Sequence, residues 1–370
     1  MKKGLSLLLA ATVALGSVPA VAEAGYAPSY VSVVVNGKKV WFPDAHPFVN
    51  SDYRTMVPVR FITESLGANV QWLGDTQTVA IQYKGKDIKL RVGQPKATVD
   101  GTDKALDTSV ILHNNRTFVP LRFVTESLVG QVSWDGTNQQ VTIKTDAFDA
   151  KAQYDPYGRK IRTTNLPKNA QNYPYILEDV PNGFYEMRKT EEPDGLEVLT
   201  TKQLFQKPEF SKENVDKWMD MIRKHYALIL NMDYRTIGSN WADEAYQYRA
   251  HNMDHLYFLK DYVNWVKENK IIVEGYLQPE PSMIVDTSLG DTFKVPARVK
   301  FRFVSFNKYE TLLYDQSFDG AKMGPFEKGV WYEGFVDVEM MSEVGGDWAP
   351  YVKINPLAML FNNAMVWKSE

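Results

Sequence analysis

The sequence predicts an α+β protein in two parts. An N-terminal tandem-repeat module of antiparallel strands wrapped on short helices comes first, and a C-terminal domain of helices plus an antiparallel sheet follows. Two observations predict this order. The 30 residues from Arg54 match those from Arg116 without a gap, and 16 of the 30 positions are identical. Beyond residue 172, apolar residues first recur at helical spacing and then at a period of two.

Residues 1–24 have the three-part composition of a secretory signal peptide. Two lysines follow the first methionine, an apolar run occupies Leu5–Leu15, and small residues near Ala22 fit a cleavage site. The apolar run is too short to cross a bilayer as a helix, which takes about 20 residues. We therefore expect cleavage between Ala22 and Gly25, a secreted or cell-surface location, and no membrane span in the mature protein.

The repeat module is expected to occupy residues 25–145. Each unit begins with a β-favouring stretch and an Asn-Gly or Asp-Gly pair, which suits a hairpin turn because these residues tolerate positive φ. A Val-Pro-Val/Leu-Arg-Phe motif then opens a short helix, and proline suits its first turn. The predicted helices are Val59–Leu66 and Leu121–Leu128, with glycine stops at Gly67 and Gly130.

Alternating strands follow each helix and carry Trp72 in the first unit and Trp134 in the second. The two tryptophans have the same phase within the repeat, so they are expected to be buried at equivalent positions of one shared core. Replacing either by alanine would then cost about 3–5 kcal/mol. The repeat contains no residue set able to do chemistry, and we interpret it as a presentation or packing module.

The segments RTMVPVRFITESLGANVQW and RTFVPLRFVTESLVGQVSW resemble the copper amine oxidase N-terminal-like domain, or stalk domain, of secreted Gram-positive bacterial proteins. The resemblance covers about residues 30–145. It implies an extracytoplasmic appendage domain of antiparallel sheet around a helix.

The resemblance does not imply oxidase activity. Enzymes of that name form their quinone from a tyrosine in an Asn-Tyr-Asp/Glu context, within a separate catalytic domain that supplies three histidine ligands to copper. Here Asn172 and Tyr173 are followed by Pro174, so the pattern is missing. We expect no amine oxidase activity.

Composition narrows the remaining function classes. The chain has no cysteine, which excludes disulfides and thiolate chemistry. Its formal net charge of −3 gives no reason to expect nucleic acid or an anionic membrane as a partner. Neither a Gly-x-Ser-x-Gly motif nor a phosphate or dinucleotide loop is present, so no cofactor is expected.

Residues 146–172 are polar and contain helix-breaking and turn-forming residues, which predicts a linker. The C-terminal α+β domain is expected to occupy residues 173–370. Its first long helix begins at Ser211, a good N-cap, with Phe210 and Val215 at the positions of a hydrophobic staple.

A second helical stretch runs from Trp241 to Asn269 and is long enough to be two helices. Two-residue alternation then predicts four strands: Ile271–Leu277, Val295–Phe306, Val330–Met341 and Tyr351–Ile354. The order of helices and sheet loosely resembles the ketosteroid-isomerase-like cone fold, in which helices close a curved sheet over a pocket.

The second and third strands are expected to be antiparallel neighbours with one apolar face and one charged face. The charged face would pair two groups: Arg298, Lys300 and Arg302 with Glu333, Asp337 and Glu339. A charge reversal at Lys300 should then be offset by one at Asp337 or Glu339. The apolar face should meet the Ser211 helix.

His251 and His255 are four residues apart. On a helix this spacing places both rings on one face, near enough to share a metal ion. The hydrolase motif His-Glu-x-x-His would add a catalytic glutamate, which is missing between these two histidines. A pair of surface or packing histidines is the alternative interpretation.

Two functions remain open. The first is a non-enzymatic exported cell-envelope protein, whose stalk-like repeats support a C-terminal domain that binds a glycan or another cell-wall component. The 9 tryptophans and 20 tyrosines offer the amphipathic faces on which sugars stack. The second is a pocket or metal-dependent enzyme in residues 173–370 that uses His251 and His255. A solid core in that domain favours the first function, and a cavity with convergent polar groups favours the second.

Overall fold

The computed structural model describes residues 31–42, 45–113, 116–128, 131–187, 198–251, 256–287, 292–309, 325–343, 351–357, 360 and 364–369. The predicted signal peptide lies outside the described residues. Strands dominate the N-terminal part, and helices followed by an antiparallel sheet make up the C-terminal part. The α+β class predicted from the sequence is confirmed.

In its described residues, the N-terminal module consists of short strands and two helices. The strands are β1 Ser32–Val35, β2 Lys38–Lys39, β3 Phe48–Val49, β4 Thr55–Pro58, β5 Asn69–Leu73, β6 Thr78–Tyr83, β7 Lys86–Arg91, β8 Lys96–Val99, β9 Thr102–Ala105, β10 Ile111–His113, β11 Arg116–Pro120, β12 Gln131–Asp135 and β13 Gln140–Lys144. The helices are α1 Val59–Ser65 and α2 Leu121–Leu128, which confirms both predictions. Three sheets result, in the orders β12-β13-β1-β2, β10-β11-β4-β3 and β5-β6-β7-β8-β9.

The two repeats join through the strands that carry their shared Arg-Thr-x-Val-Pro motif. Strands β4 and β11 pair antiparallel, with Val57 opposite Val119. Because these two valines hold the same position in the two repeats, a local pseudo-two-fold axis passes between them. One core contains equivalent residues of both units: Val57 and Val119, Ile62 and Val124, Ile81 and Ile143.

The predicted turn residues take the backbone conformations that their types favour. Asn36 and Gly37 have φ values of 49° and 84° and close the hairpin of β1 and β2. Asp100 and Gly101 have φ values of 49° and 82° and close the hairpin of β8 and β9. Gly67, with φ of 80°, ends α1 as expected for a left-handed C-terminal stop.

The C-terminal part contains five helices and one sheet among its described residues. The helices are α3 Asn182–Glu186, α4 Thr201–Leu204, α5 Lys212–Ile229, α6 Ser239–Tyr246 and α7 Leu256–Glu268. The strands are β14 Ile272–Pro279, β15 Val285–Asp286, β16 Thr292–Ser305, β17 Trp331–Ser342, β18 Val352–Ile354 and β19 Met365–Lys368. The sheet order is β14-β16-β17-β18, with β15 paired to β16 and β19 to β17. The predicted helix at Ser211 and all four predicted strands are confirmed, and the stretch from Trp241 to Asn269 is two helices.

Aromatic side chains fill the face of this sheet that the helices cover. Trp218 of α5 packs on Phe293 of β16, with ring centroids 4.8 Å apart. Four more rings touch one another with centroid separations between 4.6 and 6.0 Å: Phe301, Phe303, Phe326 and Tyr332. The region that a cone fold would leave open for a ligand is therefore a packed core.

Strands β16 and β17 are antiparallel neighbours, as predicted. Lys300 stands opposite Glu333, and Glu333 also accepts a hydrogen bond from Arg298 at 3.0 Å. Asp337 stands opposite a proline and Glu339 opposite Lys294. The residue in register to offset a charge reversal at Lys300 is therefore Glu333, and the expected offset at Asp337 or Glu339 is wrong.

Candidate functional site

Trp72 and Trp134 lie on the terminal strands β5 and β12 of two different sheets. Each stands opposite a valine of the next strand, Val79 for the first and Val141 for the second. Their side chains are 40% and 52% exposed. The predicted equivalence of the two sites is confirmed, and their predicted burial is wrong.

The lengths of the elements explain this exposure. A helix of seven residues such as α1 is about 10 Å long, whereas a strand of five residues such as β5 spans about 16 Å. The turn at Gly67 reverses the chain, so the helix covers the start of β5, where Val70 packs against the core. Trp72 lies further along the strand at the rim of the core. Trp134 follows α2 in the same order, with the same result.

Each tryptophan lies against the glycine two residues later. A Cβ on Gly74 would be 3.7 Å from Nε1 of Trp72, and one on Gly136 would be 3.4 Å from Nε1 of Trp134. The edge of the indole therefore packs close to the backbone of the turn after the strand. Both tryptophans therefore have the same neighbour in their repeat, while much of their surface faces solvent.

A polar turn follows each tryptophan. In the second repeat, Asp135 accepts hydrogen bonds from the backbone N–H groups of Thr137 and Asn138, at 3.0 and 3.2 Å. Burial opposes the charge of Asp135, but these bonds and the Asn138 side chain hold its pKa below the usual range. In the first repeat, Leu73 holds the position of Asp135, and the carboxylate near Trp72 is that of Asp75, which lies in the exposed turn after β5. Each exposed indole thus has a carboxylate within a few residues. We call these two regions, residues 72–75 and 134–138, the tryptophan edges.

The exposure of a tryptophan side chain predicts how much its replacement by alanine lowers the free energy of unfolding. Trp72→Ala and Trp134→Ala should each lower the free energy of unfolding by about 1–2 kcal/mol, the usual range for a partly exposed side chain. Trp218→Ala removes a 3% exposed ring and should cost about 3–5 kcal/mol. Urea unfolding of the three variants measures the difference. A cost for Trp134→Ala as large as that for Trp218→Ala would mean that the edge is covered.

The repeat module is docked on the C-terminal sheet. The hydroxyl of Tyr276 donates a hydrogen bond to the carbonyl of Phe42 at 2.8 Å. The guanidinium of Arg298 lies 3.3 Å from the ring centroid of Trp41, and the ring of His46 lies 3.5 Å from that of Tyr276. These contacts place the segment after β2 on the charged face of the C-terminal sheet.

A buried ion-pair network strengthens this junction. Arg159 donates to Asp179 at 2.7 Å and to Glu280 at 2.6 Å, and the three side chains are 6%, 9% and 8% exposed. Asp179 also accepts the backbone N–H of Lys39 at 2.7 Å. Burial acts most strongly against the charge of Asp179, but Arg159 and Lys39 hold its pKa below the usual range. Residues 146–172, predicted as a linker, thus supply a buried arginine that connects both parts of the chain.

The sequence does not predict this network, because its members are far apart along the chain. Arg159 and Asp179 are 20 residues apart, and Arg159 and Glu280 are 121 apart. A charged residue in a polar segment carries no signal of burial in its composition. The one indication is local: Asp155 and Gly158, turn residues beside Arg159, form a turn in which Asp155 accepts the N–H of Arg159 at 2.7 Å.

Of the predicted metal pair, His251 is described and His255 lies outside the described residues. His251 stands in a turn between α6 and α7, so the helical geometry that motivated the pair does not hold at this residue. Its ring stacks on Tyr246 with centroids 4.1 Å apart, and Nε2 lies 2.9 Å from the carbonyl oxygen of Tyr246. In the described part of the chain, no group of three or more metal-ligating side chains comes together. The metal site stays a prediction.

Comparison with known proteins agrees with this architecture. The sequence model of the copper amine oxidase N-terminal domain matches residues 34–143, which make up most of the repeat module. A protein named "Protease inhibitor" from Brevibacillus choshinensis is 29% identical over 119 residues, or 32% of this chain. The match spans about a third, 35%, of that relative's length. Among the described helices, none is long and apolar enough to cross a membrane.

Proposed function

We propose that this protein is a non-enzymatic, exported binding protein of the cell envelope and that the two tryptophan edges contact a cell-wall glycan. The single observation that carries the proposal is the pair of exposed, repeat-equivalent tryptophans, Trp72 and Trp134. Exposed tryptophan is depleted on ordinary surfaces and concentrated at binding surfaces, where its large rigid face is desolvated. Two equivalent copies fit a ligand that itself repeats.

The chemistry of the edges suits a sugar polymer. The C–H face of a pyranose ring packs on an indole, and the ring hydroxyls need polar partners beside it. Each edge offers an indole beside a glycine and a nearby carboxylate, Asp75 in the turn after β5 or Asp135 at the end of β12. Two weak contacts on one polymer also reinforce each other, because the second binding event is intramolecular.

The C-terminal domain supports a non-catalytic function. Rings from β16, β17 and residue 326 pack against one another on the face of the sheet that the helices cover. Close packing between the helices and the sheet in the described residues of that domain supports a binding protein over an enzyme with a pocket at that place. The docked repeat module then gives the tryptophan edges a rigid base, and the predicted signal peptide would deliver the protein to the envelope.

Co-sedimentation with purified Gram-positive cell walls tests the proposal. Wild-type protein should pellet with the walls, and the double variant Trp72→Ala/Trp134→Ala should stay in the supernatant. Trp367→Ala is the matched control, because this tryptophan is 41% exposed but lies on β19 of the other domain. A second co-sedimentation, with walls stripped of covalently attached polysaccharide, shows whether the protein binds the glycan backbone of the wall or the polysaccharide attached to it. Binding of the double variant at the wild-type level would overturn the proposal.

A second candidate function is recognition of a protease, favoured by the relative named as a protease inhibitor. In this chain, β5 and β12 end their sheets, and terminal strands can pair with an extended peptide. An assay of casein cleavage by secreted serine proteases and metalloproteases separates the two functions. The residual protease activity is measured with and without the protein. Stoichiometric inhibition together with no wall binding would favour the protease over the glycan.

A further inference from the structure

The nitrogen-bearing side of each exposed indole faces open space. A Cβ on Gly74 would lie 3.7 Å from Nε1 of Trp72, and one on Gly136 would lie 3.4 Å from Nε1 of Trp134. Apart from the residues adjacent in sequence, no other described atom comes within 4 Å of either position. Because the glycines have no side chain, a ligand atom can approach Nε1 from this side in both repeats.

The N–H group on this side of the ring is a hydrogen-bond donor that the protein does not use. Within the described part of the chain, neither Trp72 nor Trp134 donates from Nε1 to a protein acceptor. Trp241 differs, because its Nε1 donates to the carbonyl of Leu228 at 3.2 Å. An indole N–H can donate but not accept. A ligand that fits both edges therefore presents a hydrogen-bond acceptor next to an apolar surface.

The charges near the edges favour a neutral acceptor. Asp75 lies in the turn after β5, and Asp135 ends β12. These carboxylates disfavour a phosphate or a carboxylate on the ligand. A protonated amine has no lone pair with which to accept the indole N–H. Among the substituents of amino sugars, the acetamido group combines a neutral carbonyl acceptor with an apolar methyl group, whereas a hydroxyl group offers no methyl.

We propose that each tryptophan edge recognises the 2-acetamido group of an amino sugar. The indole N–H donates to the acetamido carbonyl, and the methyl group packs on the exposed face of the indole. The inference rests on the proposed glycan function and adds the part of the sugar that the edges recognise. A glycan with acetamido groups on successive sugars can occupy either edge in the same way, since the indole and the glycine hold equivalent positions in the two repeats.

Isothermal titration calorimetry with three sugar hexamers tests the proposal. The hexamers share a β-1,4 linkage and are built from N-acetylglucosamine, glucose or glucosamine. The glucose hexamer keeps the sugar face but has a hydroxyl in place of the acetamido group, and the glucosamine hexamer has a cationic amine there. The N-acetylated hexamer should bind at least about tenfold more tightly than either of the others.

Two double variants separate the N–H group from the rest of the edge. Trp72→Phe/Trp134→Phe keeps an aromatic face without the donor, so it should weaken binding of the N-acetylated hexamer more than that of the glucose hexamer. Gly74→Ala/Gly136→Ala keeps both indoles, places a methyl group beside each Nε1 and should reduce the same preference. Neither glycine has a left-handed backbone, and the added Cβ meets Nε1 at an ordinary van der Waals distance, so the alanine variant should fold.

Trp367→Phe and Gly183→Ala are the matched controls. Trp367 is an exposed indole of the other domain, and a Cβ on Gly183 would meet no atom within 4 Å. Both controls should keep the wild-type preference for the N-acetylated hexamer.

Equal affinity of the wild type for the N-acetylated and glucose hexamers would overturn the inference. So would an unchanged preference in both double variants, or tighter binding of the glucosamine hexamer than of the N-acetylated one. Wall binding that persists alongside any of these results leaves the proposed function standing. A wild-type protein that binds neither the walls nor any hexamer contradicts both the inference and the proposed function.

Discussion

Replacing Arg159 by alanine is expected to lower the free energy of unfolding by about 3–5 kcal/mol, the range for breaking a buried ion pair from one side. The substitution leaves Asp179 and Glu280 buried, close together and without their counter-ion. It also removes the arginine that connects residues 146–172 to the C-terminal domain. The repeat module and the C-terminal domain should therefore unfold less cooperatively than in the wild type.

Urea unfolding followed by tryptophan fluorescence and by circular dichroism measures this effect. The two probes should coincide for the wild type and separate for Arg159→Ala. Lys84→Ala is the control, because it breaks an ion pair with Asp146 in which the side chains are 54% and 92% exposed, and its unfolding midpoint should stay at the wild-type value. A midpoint for Arg159→Ala equal to that of Lys84→Ala would show that the junction does not stabilise the fold.

Acid is expected to destabilise the protein from pH 6.5 downward through His46 and His225. Burial lowers the pKa of each ring to about 3, with Lys300 adding to the effect at His46 and Arg249 at His225. In the unfolded chain both titrate near 6.5. Each histidine therefore contributes stability that is complete above pH 6.5 and is lost as the pH falls to about 3. The loss is about 3–5 kcal/mol for each ring.

The phenylalanine variants of these two residues test the prediction. His46→Phe and His225→Phe should each reduce the slope of unfolding free energy against pH between 6.5 and 3. Burial raises the pKa of Asp155 to about 6, so this group acts in the opposite sense between pH 6 and about 4 and offsets part of the loss. His113→Phe, at an exposed position, is the control. An unchanged slope in both buried-site variants would mean that other groups cause the acid instability.

The elements of the fold could be predicted because their signals are local. Helix α2 was predicted with its correct ends from a proline, a helical apolar face and a following glycine. Alternation predicts strands β16 and β17, and the opposite charges on their polar faces predict that they pair. Their register could not be predicted, because alternation repeats every two residues. It fixes the face on which Lys300 and Glu333 lie but not which residues stand opposite.

The candidate site was harder to predict because burial depends on what covers a residue. The two-residue alternation of the strands places Trp72 and Trp134 on the same side as the core residues. In the structure both stand opposite buried valines, so they lie on the core face of their sheets. Only the lengths of α1 and β5, in three dimensions, show that the helix leaves the tryptophan at the rim. The Arg159 network had no local signal beyond the turn at Asp155 and Gly158, because its carboxylates, Asp179 and Glu280, lie 20 and 121 residues away along the chain.

The most direct measurement of the proposed function is the affinity for a soluble cell-wall glycan fragment of wild type, Trp72→Ala, Trp134→Ala and the double variant. The proposal predicts that each single change weakens binding by a similar factor of about 10 or more, since each removes an aromatic anchor worth at least about 1.4 kcal/mol. It also predicts that the double variant loses detectable binding. Equal affinity of all four proteins for the fragment, with Trp367→Ala unchanged, would contradict the assignment of the tryptophan edges as the binding site.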